Sequence, residues 1–223
     1  QVAYEECIRQ LEKLRENYFY EDTAEEKSRI QTEFQKVQKE LSEHLIKTYS
    51  RNQSAIKLAA WNPFSDEVTD WFNPQWMFGL DPDDRGKGFF DIVIGNPPYI
   101  QLQSDHGKLA NRYKNEGYST FCRTGDIYSL FYERGVDLLK KNGILCYITS
   151  NKWMRAKYGE ATRKFFSQYQ PLVLIDLGSN IFESATVDTN ILLIKKTEPE
   201  NNSLKALDIS REKKKENFIS HPG

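Results

Sequence analysis

The residues richest in chemistry are Asn96-Pro97-Pro98-Tyr99, which follow an apolar, β-branched run at residues 89–94 and a flexible Gly95. Two consecutive prolines fix the backbone φ angles and remove two N–H donors, leaving carbonyls and the Asn96 side-chain oxygen as rigid acceptors. Tyr99 adds a flat face beside them. A planar nitrogen bearing two hydrogens, in an amide or a ring amine, is what such acceptors would grip. The lone pair of an exocyclic amine is delocalised into its ring and is poorly nucleophilic. Hydrogen bonds accepted by Asn96 and by the Pro97 carbonyl would favour a pyramidal nitrogen with its lone pair facing an electrophile, and no general base need act first. Asn-Pro is also a turn signal, so a rigid turn after a strand is the plainer account of the same residues.

These residues must be positioned by the elements around them. From residue 89 the pattern predicts a strand (89–94), a helix (126–139), a strand (143–149) and a basic helix (155–169), then strands at 172–177 and 187–196. Alternating strand and helix means α/β with a parallel sheet, and such sheets place ligands at the carboxyl ends of strands, where Asn96 falls. The short loop between the last two strands allows an antiparallel pair. A polar tail with Arg211, Lys213, Lys214 and Lys215 follows. Upstream, Ile8, Leu11, Leu14 and then Ile30, Phe34, Val37, Leu41, Leu45 recur at helical steps. Thr23-Ala24-Glu25-Glu26 fits a capping box that would start the second helix. The expected organisation is a helical hairpin appendage at 1–60, a Trp/Pro-rich connection at 61–88 and a partial catalytic domain at 89–223. No basic stripe marks the hairpin, so packing is its expected role rather than DNA contact. Trp61, Trp71 and Trp76, set among Asn-Pro and Asp-Pro pairs, are expected to cover a hydrophobic edge.

Composition limits the function classes. The 223 residues carry 31 Lys/Arg and 32 Asp/Glu, net charge -1, which excludes the global basicity of a nucleic-acid coat protein. The charge is uneven: residues 1–100 hold 12 basic and 18 acidic groups (net −6), and the remainder 19 and 14 (net +5). A polyanionic partner should meet the second half. A hydrophobic content of 39% is enough for a core. Cys7, Cys122 and Cys146 are too scattered for a disulfide framework or a zinc set, and His44, His106 and His221 are isolated. No metal site and no membrane partner are expected, and the cysteines fit reduced thiols in a cytoplasm.

Around the tetrapeptide the chain resembles the gamma-type N6-adenine DNA methyltransferases of restriction-modification systems, in particular single-chain type II enzymes. The likeness spans roughly residues 61–196 and rests on Asp91-Ile-Val-Ile-Gly-Asn-Pro-Pro-Tyr99-Ile100, Gly125-Asp126-Ile127-Tyr128-Ser129-Leu130-Phe131, the run Gly143–Trp153, and Ile181-Phe182-Glu183-Ser184-Ala185-Thr186-Val187-Asp188-Thr189. It implies the later strands of a Rossmann-like, S-adenosylmethionine-dependent sheet carrying a helical hairpin at its N-terminus. By the resemblance Asn96, Pro97, Pro98 and Tyr99 are the catalytic loop. Phe182 is the second wall around an adenine extruded from duplex DNA, and Lys152, Trp153 and Asp126 lie on the substrate side. Phe182 fits core packing equally well, and an aspartate opening a helix is also an ordinary helix-terminus charge. Positive charge at Lys152, Arg155, Lys157, Arg163 and Lys164 is expected near the strand ends, where it would face phosphate.

The family's glycine-rich cofactor loop, strand then Gly-x-Gly, and its acidic ribose ligand should precede Asn96, and neither is found there. Only Asp91 and Gly95 remain as candidates adjacent to the cofactor. The expectation is a portion of a longer methylase that lacks activity alone. Glutamine-N5 protein and RNA methyltransferases use the same tetrapeptide and are the alternative, with a non-catalytic interaction module as a third reading.

Overall fold

Amphipathic periodicity at the N-terminus and β-branched runs beyond residue 89 produce two units, residues 1–81 and 82–223. A computed structural model describes residues 2–49, 57, 61–64, 71–83, 88–179, 181–182, 187–200 and 203–210. Several expectations fall outside these residues: the helix between 50 and 58 apart from residue 57, the glycines and charges at 84–87, Glu183 to Thr186, and the basic tail from Arg211.

In the first unit α1 (Val2–Tyr20) and α2 (Ala24–Tyr49) form the hairpin. Leu11, Phe34, Val37, Leu41 and Leu45 are buried along its seam, with Ile8, Leu14 and Phe64 packed against them. The turn differs from the expected capping box. The Thr23 hydroxyl and backbone N–H both donate to the Glu21 carboxylate, at 2.9 Å each, and Glu26 instead pairs with Arg29. The Thr23 hydroxyl gives its hydrogen bond to a carboxylate two residues upstream, and Glu26 turns to Arg29 rather than back to the Thr23 N–H. The short α3 (Pro74–Phe78) starts on proline, whose missing N–H costs nothing in a first turn. Trp61 and Trp71 meet edge to face at 6.4 Å and are half-buried, as expected of packing groups; the side chain of Trp76 lies outside the description.

The second unit is a five-stranded sheet in the order β1-β2-β4-β3-β5, made of β1 (Phe90–Gly95), β2 (Leu139–Ser150), β3 (Gln170–Gly178), β4 (Thr189–Lys195) and β5 (Lys205–Asp208). Strands β1 and β2 are parallel, in the register Ile92↔Ile144 and Gly95↔Tyr147. The sheet is mixed rather than parallel, because β4 runs antiparallel to both β2 and β3. The short return from β3 to β4 cannot make a crossover, so an antiparallel pair is the available outcome. The added β5 pairs parallel with β3; its four residues, Lys-Ala-Leu-Asp, all exposed, are too few to carry a strand pattern in the sequence.

Between β1 and β2 run α4 (Ser104–Tyr113) and α5 (Tyr128–Leu138). The first opens on a left-handed turn through Asp105, His106 and Gly107. Helix α5 lies close on the sheet: a Cβ at Gly135 would stand 2.6 Å from both the Leu145 side chain and the Tyr147 hydroxyl. Tyr128, Tyr132, Val136, Leu145, Tyr147, Phe166, Leu192 and Ile194 form the core beneath it. The predicted basic helix at 155–169 is present in shortened form. Two 3₁₀ turns (Asn151–Met154 and Lys157–Gly159) come first and α6 covers only Glu160–Phe166. Gly159 is the cause, since it packs on Trp153 so tightly that a Cβ would sit 2.0 Å from the Trp153 carbonyl oxygen.

Candidate active site

Strand β1 delivers Asn96 to the carboxyl edge of the sheet. Pro97 is buried and anchors the loop, Asn96 and Pro98 are exposed, and Tyr99 is half-buried. The Tyr99 hydroxyl donates to Asn96 Oδ1 at 3.2 Å. That bond orients the amide and uses one of the two lone pairs of its oxygen, leaving the other for a ligand. Burial pushes the Tyr99 phenol above its ordinary value, so it stays a donor at neutral pH. The Tyr99 ring meets Phe182 at 6.4 Å and 58°, and meets Tyr128 edge to face at 6.3 Å. Two expected aromatic residues, far apart in sequence, thus stand together at the loop.

The segment after the tetrapeptide is tied to the start of α5. Ile127 donates its backbone N–H to the Ile100 carbonyl and Leu102 to the Gly125 carbonyl, each at 2.9 Å, with Gln101 opposite Asp126. Glu133 of α5 braces the loop further by accepting from the Thr120 backbone N–H at 2.8 Å and its hydroxyl at 2.9 Å. Asp126 is therefore carried beside the Asn96–Tyr99 loop with 7% of its surface exposed. Burial raises its carboxyl above the usual carboxylate range, against the opposing pull of the Lys152 charge and of the Tyr158 hydroxyl at 3.5 Å. Tyr158 also lies 3.3 Å, oxygen to oxygen, from the hydroxyl of fully buried Tyr128.

The remaining expected residues are placed as follows. Lys152 is exposed and acts electrostatically on Asp126. Trp153 differs from expectation: it is buried, packed on Phe166 at 4.9 Å, and donates its indole N–H to Asn190 Oδ1 at 3.1 Å. It is thus part of the core and offers no open face to a base. Its neighbour Arg163 spends its guanidinium on the Trp153 and Ala156 carbonyls, at 2.6 and 3.1 Å, so this charge braces the turn. Asp91 sits near the start of β1, paired with Lys140 at 3.6 Å, about four strand residues or roughly 13 Å from Gly95. Gly95 packs against Tyr147, where a Cβ would approach the ring at 3.2 Å. Sequence reasoning passed over Tyr158. A tyrosine between Lys157 and Gly159 in a predicted solvated helix carries no signal, and it gains meaning only when the 3₁₀ turns bring it to Asp126.

Among the described residues no group of three or more His, Cys, Asp and Glu could hold a metal, and no helix is long and apolar enough to cross a membrane. Nor do the described residues contain a glycine-rich turn leading from a strand into a helix beside β1, so the cradle that S-adenosylmethionine requires is not furnished by them. Among the described residues β1 is one edge of the sheet, and Ile92 and Ile94 on it are 65% and 77% exposed.

Known proteins resemble part of the chain. It is 33% identical over 130 residues to the type II restriction enzyme and methyltransferase RM.Eco57I of Escherichia coli, an alignment covering 56% of this chain and 13% of that protein. It is 30% identical over 120 residues to the type II methyltransferase M.BstVI of Geobacillus stearothermophilus, covering 51% and 21% respectively. A solved methyltransferase subunit of a type I restriction-modification system from Streptococcus thermophilus is 22% identical with a TM-score of 0.45, over 59% of this chain and 28% of its own. The matched stretch is thus a small fraction of these relatives' length. The sequence profile of the Eco57I restriction-modification methylases matches residues 5–182, from the first helix through Phe182, and the chain belongs to that family.

Proposed function

We propose that this chain carries the methyl-accepting half of a DNA adenine methyltransferase and works within a longer restriction-modification protein. S-adenosylmethionine would supply the methyl group from outside the residues described here. The observation that carries the reading is the loop after β1, where the Oδ1 of exposed Asn96 is oriented by Tyr99 and Pro97 follows directly in the chain. In this reading Asn96 Oδ1 and the Pro97 carbonyl accept the two hydrogens of the adenine N6 amine and hold its lone pair outward. Tyr99 and Phe182 flank the base, which has to leave the duplex because its amine is paired there. Lys152, Arg155 and Lys157, all exposed, would meet phosphate. Asp126, beside the loop, would face the base. The family membership and the restriction-modification relatives support DNA over a protein amide.

The test is to incubate the complete enzyme bearing this chain with duplex DNA and tritiated S-adenosylmethionine, then digest the DNA to nucleosides. Label in N6-methyladenine is the expected result. Label confined to protein glutamine or to RNA, with none in DNA, contradicts the reading.

A further inference from the structure

Asp126 is a nearly buried carboxyl beside the Asn96–Tyr99 loop, and its surroundings raise the question of what holds it. It lies opposite Gln101 in the ladder that fixes that loop. Of the two groups whose pull favours its charged form, Lys152 is exposed and long, so it sets a charge but no direction. The Tyr158 hydroxyl is different. Its ring lies against Gly125, whose Cβ, if present, would stand 3.4 Å from Cδ2. Its oxygen is shared between Asp126 Oδ2 at 3.5 Å and the Tyr128 hydroxyl at 3.3 Å. Its backbone sits in the turn that Gly159 and Arg163 lock to Trp153. Tyr158 is therefore a rigid donor at the end of the basic segment Lys152–Lys157, and Tyr128, on which it also leans, supports the edge of the Tyr99 ring. These contacts are long for O–H···O bonds, as hydrogen bonds at a reaction site often are before a ligand tightens them.

We propose that Tyr158 is a positioning residue that aims the Asp126 carboxyl at the extruded base and couples the phosphate-facing segment to the catalytic loop. The proposal rests on the methyltransferase reading. When DNA engages Lys152, Arg155 and Lys157, the turn carrying Tyr158 is pressed toward Asp126 and Tyr128, and the loop behind Tyr99 firms as one piece. Tyr158 touches neither base nor methyl donor in this account, so its effect should be on turnover rather than on DNA affinity.

The experiment compares Tyr158→Phe, Asp126→Asn and the double variant in the complete enzyme, reading kcat and KM for duplex DNA separately together with the thermal midpoint. Phenylalanine keeps the ring packing on Gly125 and removes only the hydroxyl. Expected is a fall in kcat of about tenfold for Tyr158→Phe, the scale of one hydrogen bond to a charged group, with KM and the midpoint unchanged. The double variant should be no slower than Asp126→Asn alone, because Tyr158 acts through that carboxyl. Wild-type turnover in Tyr158→Phe overturns the proposal, as do losses that multiply in the double variant or a loss matched by a fallen midpoint. If the wild-type enzyme methylates no DNA, the functional reading itself fails; methylation with an indifferent Tyr158 sinks only this inference.

Discussion

The hairpin seam and the β1 edge treat the same kind of residue in opposite ways. Between α1 and α2 the stripe residues Leu11, Ile30, Phe34, Val37, Leu41 and Leu45 are buried, Leu41 fully so, and Leu14 is half-buried. On β1, Ile92 and Ile94 are as apolar as those leucines and remain largely in solvent, while Val93 turns to the core. A helix pair can close its apolar stripe with local chain, whereas a sheet face needs a layer packed over it, and the face that carries Ile92, Ile94 and their half-buried β2 partners Ile144 and Cys146 is left open among the described residues. The hairpin is complete as a packing unit. The strand that carries the Asn96–Tyr99 loop is not: among the described residues it has one hydrogen-bonded neighbour.

The comparison is broken most sharply by core truncation. Leu41→Ala should destabilise the hairpin by about 2–5 kcal/mol, as large-to-small changes at fully buried sites do, and helical circular dichroism through a denaturant titration measures it. A cost near zero would mean that the seam is looser than its burial implies.

Next in size is the aromatic flank. Tyr99→Ala should weaken binding of an extruded base by the ~1 to 3 kcal/mol typical of base stacking, while Tyr99→Phe retains most of it. Fluorescence of 2-aminopurine at the target position reports extrusion. Equal enhancement for wild type and Tyr99→Ala would remove the ring from the stacking role.

Smaller still is a stability effect at Asp126. Burial favours the neutral carboxyl in the folded chain, so its folded pKa lies above the ordinary 3.8. The folded state is then penalised once the unfolded carboxyl ionises, and stability from this group is full below about pH 3.8 and lost as pH rises through the folded value. Asp126→Asn should accordingly raise the thermal midpoint at pH 7 and leave it unchanged at pH 3.5. A lower midpoint at pH 7 would show that Lys152 and Tyr158 outweigh burial.

The smallest effect on folding belongs to the exposed edge. Ile94→Lys should change stability by less than about 0.5 kcal/mol, as surface substitutions do, while suppressing self-association of the isolated 223-residue chain. Sedimentation measures the association, and calorimetric titration of the same sample with S-adenosylmethionine should give no binding heat. Tight one-to-one binding by a monomer would mean that a segment without a glycine-rich turn forms the cofactor site.

Period and punctuation made much of this architecture legible. The hairpin follows from its leucine spacing, β1 from residues 89–94, and the loop from two adjacent prolines whose constraint is local. Mixed strand direction was half visible, in the short return between β3 and β4. What stayed hidden depended on distant contacts. Trp153 carries the same signal on a binding surface as in a core, and only Asn190, from another strand, decides between them. The apparent helix at 155–169 was shortened by Gly159 meeting Trp153, a contact that no periodicity encodes. Tyr158 became meaningful for the same reason.

The central claim is that Asn96 grips the amine that receives the methyl group. Asn96 is exposed and its amide's one described side-chain contact is with Tyr99, so Asn96→Ala should leave folding intact. Tritiated methyl transfer from S-adenosylmethionine to duplex DNA, with wild type and Asn96→Ala compared in the complete enzyme at equal thermal midpoints, tests it directly. The account predicts that the variant transfers no measurable label. Undiminished transfer would contradict it and remove this loop from the reaction.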